Sequence, residues 1–325
     1  MLKCRIFASG VLALLVFGGC AGTERDAAFR VALLTPGPIT DQSWNGGAYA
    51  GLMRIKDSLG AQVSHIQTKT PAEFDENFRQ YGAGGYSLVF GHGFEFQEAA
   101  ARVSPEYPNT VYVTTGGTIT GKNLASMSFS FDEPSFLAGM IAASVSKSGI
   151  IGCLGGTELP PVKASFLAFT AGVHAVKPNA SVISAFIGNW DDAAAGKEQA
   201  LAQIGRGVDV IFQNADAAGL GVFQAARESK GVYVVGSNSN QNEVAPSVTL
   251  GSVVIDLPHA FITVAREVKA KTFQPRVIQL DTRSEVVRWV PNPATASLLS
   301  AKAVSMIDSV RAIMLAGHFA LPVSR

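Results

Sequence analysis

Charge is scarce in this sequence. Only 16% of its 325 residues are charged, and 26 basic against 25 acidic side chains leave a formal net charge of +1. A balance so near neutral supplies no basic field for holding nucleic acid. Cysteine is scarcer still: Cys4, Cys20 and Cys153 are too few to staple a disulfide scaffold. The five histidines (His65, His92, His174, His259 and His318) are scattered without metal-ligand spacing. Enzyme signatures are missing too. There is no G-x-S-x-G elbow, no H-E-x-x-H and no Walker A motif. Ser144-Val145-Ser146-Lys147 fits S-x-x-K but has no S-D-N or K-T-G partner, and Gly219-Leu220-Gly221 is only half of a dinucleotide fingerprint. Neither an enzyme nor a metal or cofactor is expected. What the chain has in quantity is apolar residues, 47%, and 33 glycines. That composition buries large cores and rules out disorder. The length suggests about two domains.

The N-terminus reads as an export signal. Lys3 and Arg5 precede an apolar run from Ile6 to Phe17, which is too short for a membrane span of about 20 residues. Phe17-Gly18-Gly19-Cys20 resembles a bacterial lipobox, which implies lipid attachment at Cys20 after removal of residues 1–19. The other reading is an ordinary cleaved signal that leaves Cys20 as a free thiol. Losing Lys3 and Arg5 turns the net charge from +1 to −1. Residues 20–28, small and polar, form a tether. Cys153, alone in the apolar run GIIGCLGG, reads as a buried inert thiol.

From residue 29 onward short apolar runs alternate with helical patterns. Strands are expected at 29–35, 61–67, 86–91, 110–115 and 124–131, separated by helices at 44–59, 71–81 and 95–104. The rhythm then restarts. Helices at 134–145, 159–177, 192–205 and 219–230 alternate with strands at 149–154, 181–187, 208–213, 232–236 and 248–255. A helix at 257–271 and another over 294–316 close the chain. The fold class is α/β, with two doubly wound parallel-sheet lobes and a ligand cleft between them. The first lobe is expected at 29–133 plus 252–282, and the second at 134–251 plus 283–325.

Several short segments carry a family resemblance. Asp41-Gln42-Ser43-Trp44-Asn45 resembles the D-x-S-F-N motif of the basic membrane protein family, the lipoproteins that include the purine nucleoside receptor A type. Gly91-His92-Gly93-Phe94, Ser135-Phe136-Leu137-Ala138-Gly139 and Gly188-Asn189-Trp190-Asp191-Asp192 resemble the family's G-x-G-F, S-Y-L-A-G and G-S-W-x-D segments in the same order. The stretch 207–222 and Gly236-Ser237-Asn238-Ser239-Asn240-Gln241 continue the match over roughly 29–260. The resemblance implies a type I periplasmic-binding-protein fold with three crossovers between lobes. It also implies an exported, membrane-anchored substrate-binding protein, expected as a monomer, that closes on a planar heterocycle and serves an ABC permease. A purine nucleoside or nucleobase is the expected solute. The alternatives are a receptor that senses without transport, and another solute such as a flavin or a sugar.

Each site residue also has a plainer reading. Asp41 and Asn45 stand where a strand meets a helix, so either could cap that helix. The resemblance makes them, with Ser43, hydrogen-bonding partners of the heterocycle. Trp44 and Phe94 are stacking candidates from the first half, and Trp190 from the second. Asp216 opens a helix as a cap or a cleft contact, and Asp256 is a further ligand candidate. Asn238 stands where family members often carry an Asp directed at ribose, and Ile255 where they often carry Lys. These two departures put a free base in competition with a nucleoside.

Overall fold

A computed structural model describes Met1 and residues 28–322. The expected signal at 1–19, the expected lipid attachment at Cys20 and most of the expected tether lie outside the described residues.

Each expected α/β unit is present. In the first half, β1 (Arg30–Thr35), α1 (Trp44–Leu59), β2 (Gln62–Gln67), α2 (Pro71–Ala83), β3 (Leu88–Gly91), α3 (Gln97–Val103), β4 (Val111–Thr115) and β5 (Leu124–Phe129) follow in turn. In the second, α4 (Asp132–Val145), β6 (Ile150–Gly155), α5 (Pro160–Val176), β7 (Ser181–Phe186), α6 (Ala193–Gly205), β8 (Val210–Asn214), α7 (Asp216–Glu228), β9 (Tyr233–Asn238) and β10 (Thr249–Ile255) repeat the pattern. The tail adds α8 (Leu257–Lys269), β11 (Val277–Leu280), β12 (Val287–Pro291) and α9 (Ala301–Leu315).

Local chemistry explains the boundaries. Gly60 takes φ 64°, a left-handed conformation that ends α1. Thr70 and Glu73 form a capping box on α2, with Pro71 at its first turn. The expected single helix over 294–316 is corrected. Pro293–Leu298 is a 3-10 turn, and α9 begins afresh with Ser300 accepting from the Ala303 amide. Helix α7 starts three residues earlier than its expected start at Gly219, at Asp216.

The strands form two sheets of six. The first runs β11-β5-β4-β3-β1-β2, all parallel. The second runs β12-β10-β9-β8-β6-β7, with only β12 antiparallel. The expected return to the first lobe at residue 252 comes later. Strand β10 pairs with β9 and β12 through Ile255, and α8 then packs on α1 through Leu257 and Phe261. Edge strands β11 and β12 were not anticipated, because they are short and flanked or interrupted by Arg276 and Arg288.

Apolar side chains cover both faces of each sheet. Helices α4 and α5 touch backbone to backbone. A Cβ on Gly139 would sit 2.0 Å from the Phe169 carbonyl oxygen, and one on Gly172 would sit 2.0 Å from that of Phe136. Cys153 is buried in this lobe, and burial pushes its thiol pKa up, as an inert core thiol requires. Among the described residues, no helix is long and apolar enough to cross a membrane.

In each sheet the strand order reverses beside the first strand, between β1 and β3 and between β6 and β8. Ligands of open α/β sheets bind outside the carboxyl ends of the strands at such points. The loops that leave these strands therefore place the site.

Candidate functional site

A cavity of about 360 Å³ lies where the two sets of strand ends face each other. That is within the roughly 300–1,000 Å³ of small-molecule pockets. From the first lobe come Pro36 and Trp44 after β1, Phe94 and Glu95 after β3, and Phe129 and Phe131 at the end of β5. From the second come Leu159 to Val162 after β6, Trp190 after β7, Asn214 and Asp216 after β8, and Asn238 and Ile255 at the ends of β9 and β10. Five of the expected residues, Trp44, Phe94, Trp190, Asp216 and Asn238, are thus brought together.

The other expected residues stand behind the wall. Asp41 is fully buried. Its Oδ1 accepts from the Ser43 and Gly46 amides at 2.9 and 2.8 Å, and its Oδ2 accepts from the Asn45 amide and Asn45 Nδ2, both at 2.8 Å. Four donors of the protein's own chain occupy this carboxylate, which holds the start of α1. Asn45 Oδ1 accepts in turn from the Gly37 amide at 3.4 Å. In this arrangement Asp41 and Asn45 shape the loop that carries Trp44 and do not line the cavity. Asp256 is displaced as well. It caps α8 by accepting from the His259 amide at 3.0 Å, pairs with Arg288 at 3.4 Å and faces an outer groove.

Ser43 sits at the seam between lobes. Its Oγ lies 3.2 Å from Asp216 Oδ1 and 3.3 Å from the Ser237 carbonyl, and it accepts from Asn238 Nδ2 at 3.2 Å. Ser239 Oγ donates to the Ser43 carbonyl at 2.8 Å, and Gln241 Nε2 donates to that of Gln42 at 3.2 Å. Lys69 reaches Asp191 at 3.4 Å across the rim. The structure is therefore a closed form, with the lobes in direct polar contact.

Two wall residues have left-handed backbones, Asp216 at φ 50° and Asn238 at φ 65°. Among side-chain residues, Asn and Asp tolerate this region best. Asp216 is buried, and its pKa is pushed well above the usual carboxylate range, first by burial and then by the charge of Asp41. Asn238 Nδ2 lies 3.3 Å from Asp216 Oδ1 and 3.2 Å from Asn214 Oδ1. An amide donates here, where a second carboxylate would repel.

Trp44 is held from behind by a residue that sequence reasoning passed over. The His92 ring stacks on the indole with centroids 4.0 Å apart, and Phe129 meets it edge-on at 6.0 Å. His92 Nε2 is 3.0 Å from the Trp44 carbonyl, which can only accept, so Nε2 carries the proton. Nδ1 then accepts from the Thr115 hydroxyl at 3.0 Å. Burial pulls the His92 pKa from 6.5 down to about 3, so the ring is neutral. Its only sequence signal was its place in the Gly91–Phe94 loop after β3. Glu95 was also missed. It lines the cavity, and burial raises its pKa. In the second lobe the Trp190 indole lies flat over Gly156, where a Cβ would come within 2.1 Å of the ring.

Among the described residues, no Lys, Arg or His lines the cavity. Among the described residues, no group of three or more His, Cys, Asp or Glu could hold a metal ion. Ser144 of the S-x-x-K segment donates to the Met140 carbonyl at 2.8 Å and lies away from the cavity. The arrangement suits reversible capture of a small flat solute by stacking and a few hydrogen bonds.

Residues 28–312 match the Bmp family, described as "ABC transporter substrate-binding protein PnrA-like". Basic membrane protein A2 of Borrelia garinii subsp. bavariensis is 28% identical over 288 residues, covering 86% of this chain and 85% of that protein. The ABC transporter nucleoside-binding protein BmpA of Lactococcus lactis subsp. cremoris is 29% identical over 265 residues, covering 74% and 75%. Among solved structures, an ABC transporter solute-binding protein from Aeropyrum pernix superposes with a TM-score of 0.84 at 19% identity, covering 92% of this chain and 95% of that one.

Proposed function

This chain belongs to the Bmp family of PnrA-like ABC transporter substrate-binding proteins, a family of solute binders rather than enzymes, and from that premise we propose that it captures a planar heterocycle, a purine nucleoside or nucleobase, for import. The observation that carries the reading is the pairing of Trp44 from one lobe and Trp190 from the other on the wall of one closed cavity. Aromatic side chains supplied by both lobes favour a flat solute. The relative named as nucleoside-binding adds support.

Transport follows from differential affinity. A solute that touches both walls only when the lobes meet shifts the population toward the closed form. The closed form then docks on a membrane permease. Export by residues 1–19 and a lipid on Cys20 would keep the protein beside that permease as a monomer at the cell envelope.

A thermal-shift screen tests the reading. The protein from residue 21 onward is mixed with purine nucleosides, nucleobases, flavins and sugars. A purine at about 100 times its Kd should add about 2.7 kcal/mol of stability. A shift with sugars alone would sink the proposal.

A further inference from the structure

The cavity has an unusual charge pattern. Its titratable wall residues are both acids, Glu95 and Asp216. They come from opposite lobes, one after β3 and the other at the start of α7. Asp216 feels the charge of Glu95 across the cleft. Neither takes part in an ion pair among the described residues. Glu95 Oε2 lies over Gly93, at a place a Cβ would approach to 2.7 Å. The same cavity is lined by Trp44, Phe94, Phe129, Phe131 and Trp190.

We propose that the solute carries a positive charge, and that the closed cavity holds a planar organic cation between aromatic faces and the carboxylates of Glu95 and Asp216. The proposal rests on the heterocycle-binding reading above and narrows it to nitrogen heterocycles that are N-alkylated or protonated on the ring.

The argument is one of balance. A neutral solute would leave two like charges on the wall of one cavity from which closure expels water. At least one would then have to take up a proton, which is the direction in which burial already drives both groups. A cation removes that cost by supplying the missing counter-charge. Aromatic faces attract the same charge through their ring quadrupoles. The two carboxylates belong to different lobes, so a cation between them also draws the lobes together. A positive charge on the solute thereby becomes a closing force, and recognition and closure are the same event.

Matched probes test this by titration calorimetry on the protein from residue 21 onward. One pair is 1-methylnicotinamide, a cation, against neutral nicotinamide. The other is 1-methyladenosine, cationic at neutral pH, against neutral adenosine. In at least one pair the cation should bind about tenfold more tightly. That preference should grow as pH rises and the carboxylates ionise. Glu95→Gln should remove most of it, and Asp216→Asn is the second variant should the first fail to fold. The proposal is overturned if the cation gains nothing in either pair, or if the preference survives both substitutions. Tight binding of neutral adenosine or nicotinamide with no gain from methylation overturns the charge assignment and leaves the heterocycle reading standing. Binding of sugars alone overturns both.

Discussion

Ser43 Oγ on one lobe lies 3.2 Å from Asp216 Oδ1 on the other, and this contact places the cavity at a closed seam. The hydroxyl also accepts from Asn238 Nδ2, so a single side chain links three polar groups across the lobes. Ser43→Ala removes these hydrogen bonds across the lobes, each worth about 1 kcal/mol. The contact joins the two lobes, so the loss falls on closure. Solute affinity should drop about tenfold or more, while unliganded stability changes less. Calorimetric titration and thermal unfolding of the same variant separate the two effects.

Trp44→Ala should weaken whichever planar solute binds by about tenfold or more, since a stack is worth about 0.5–1.5 kcal/mol beyond the area it buries. An unchanged Kd would remove Trp44 from the site.

His92 supports Trp44 only while neutral. Its pKa falls from 6.5 to about 3 in the folded protein, so the unfolded chain binds the proton more readily. The stability it contributes is whole above pH 6.5 and is lost as pH falls toward 3, by about 1.4 kcal/mol per pH unit. Denaturant unfolding across this range should show that slope in the native protein and lack it in His92→Gln.

Asp216 works with the opposite sign. Its raised pKa means that the folded, closed form holds a proton more tightly than the unfolded chain. Its contribution is therefore whole at low pH and is lost as pH rises through the folded pKa. Small-angle scattering of the unliganded protein should show a more closed shape in acid than in base. Asp216→Asn should flatten that dependence.

Gly156 gives a steric test. Gly156→Val would drive a side chain into the Trp190 ring, which a Cβ would already approach to 2.1 Å. Solute affinity should fall with little change in Asp41 or the α1 cap, because these lie in the other lobe.

Much of this fold was legible because α/β units write themselves twice, once as apolar strands and again as amphipathic helices closed by Gly or Pro. Edge strands β11 and β12 escaped because they are short and half-buried, β11 following Arg276 and β12 containing Arg288. The aromatic wall was legible from motif loops at strand ends. The roles of Asp41 and Asn45 were not, because a cap and a ligand contact use the same residues at the same strand-to-helix junction. Only the four donors converging on Asp41 separate them. Glu95 and His92 carried no signal of their own. A lone acid or histidine becomes informative only when the sheet places it against a cavity or an indole.

The chain has 3 tryptophans, and two of them, Trp44 and Trp190, line the cavity. Trp289 packs instead against the core of the second lobe. Titrating the fluorescence of the protein with purine nucleosides and nucleobases is therefore the most direct test of heterocycle capture in a closed cleft. The account predicts saturable quenching that shrinks in Trp44→Phe and in Trp190→Phe and persists in Trp289→Phe. A saturable response to sugars with none to any heterocycle, or quenching lost only in Trp289→Phe, would contradict it.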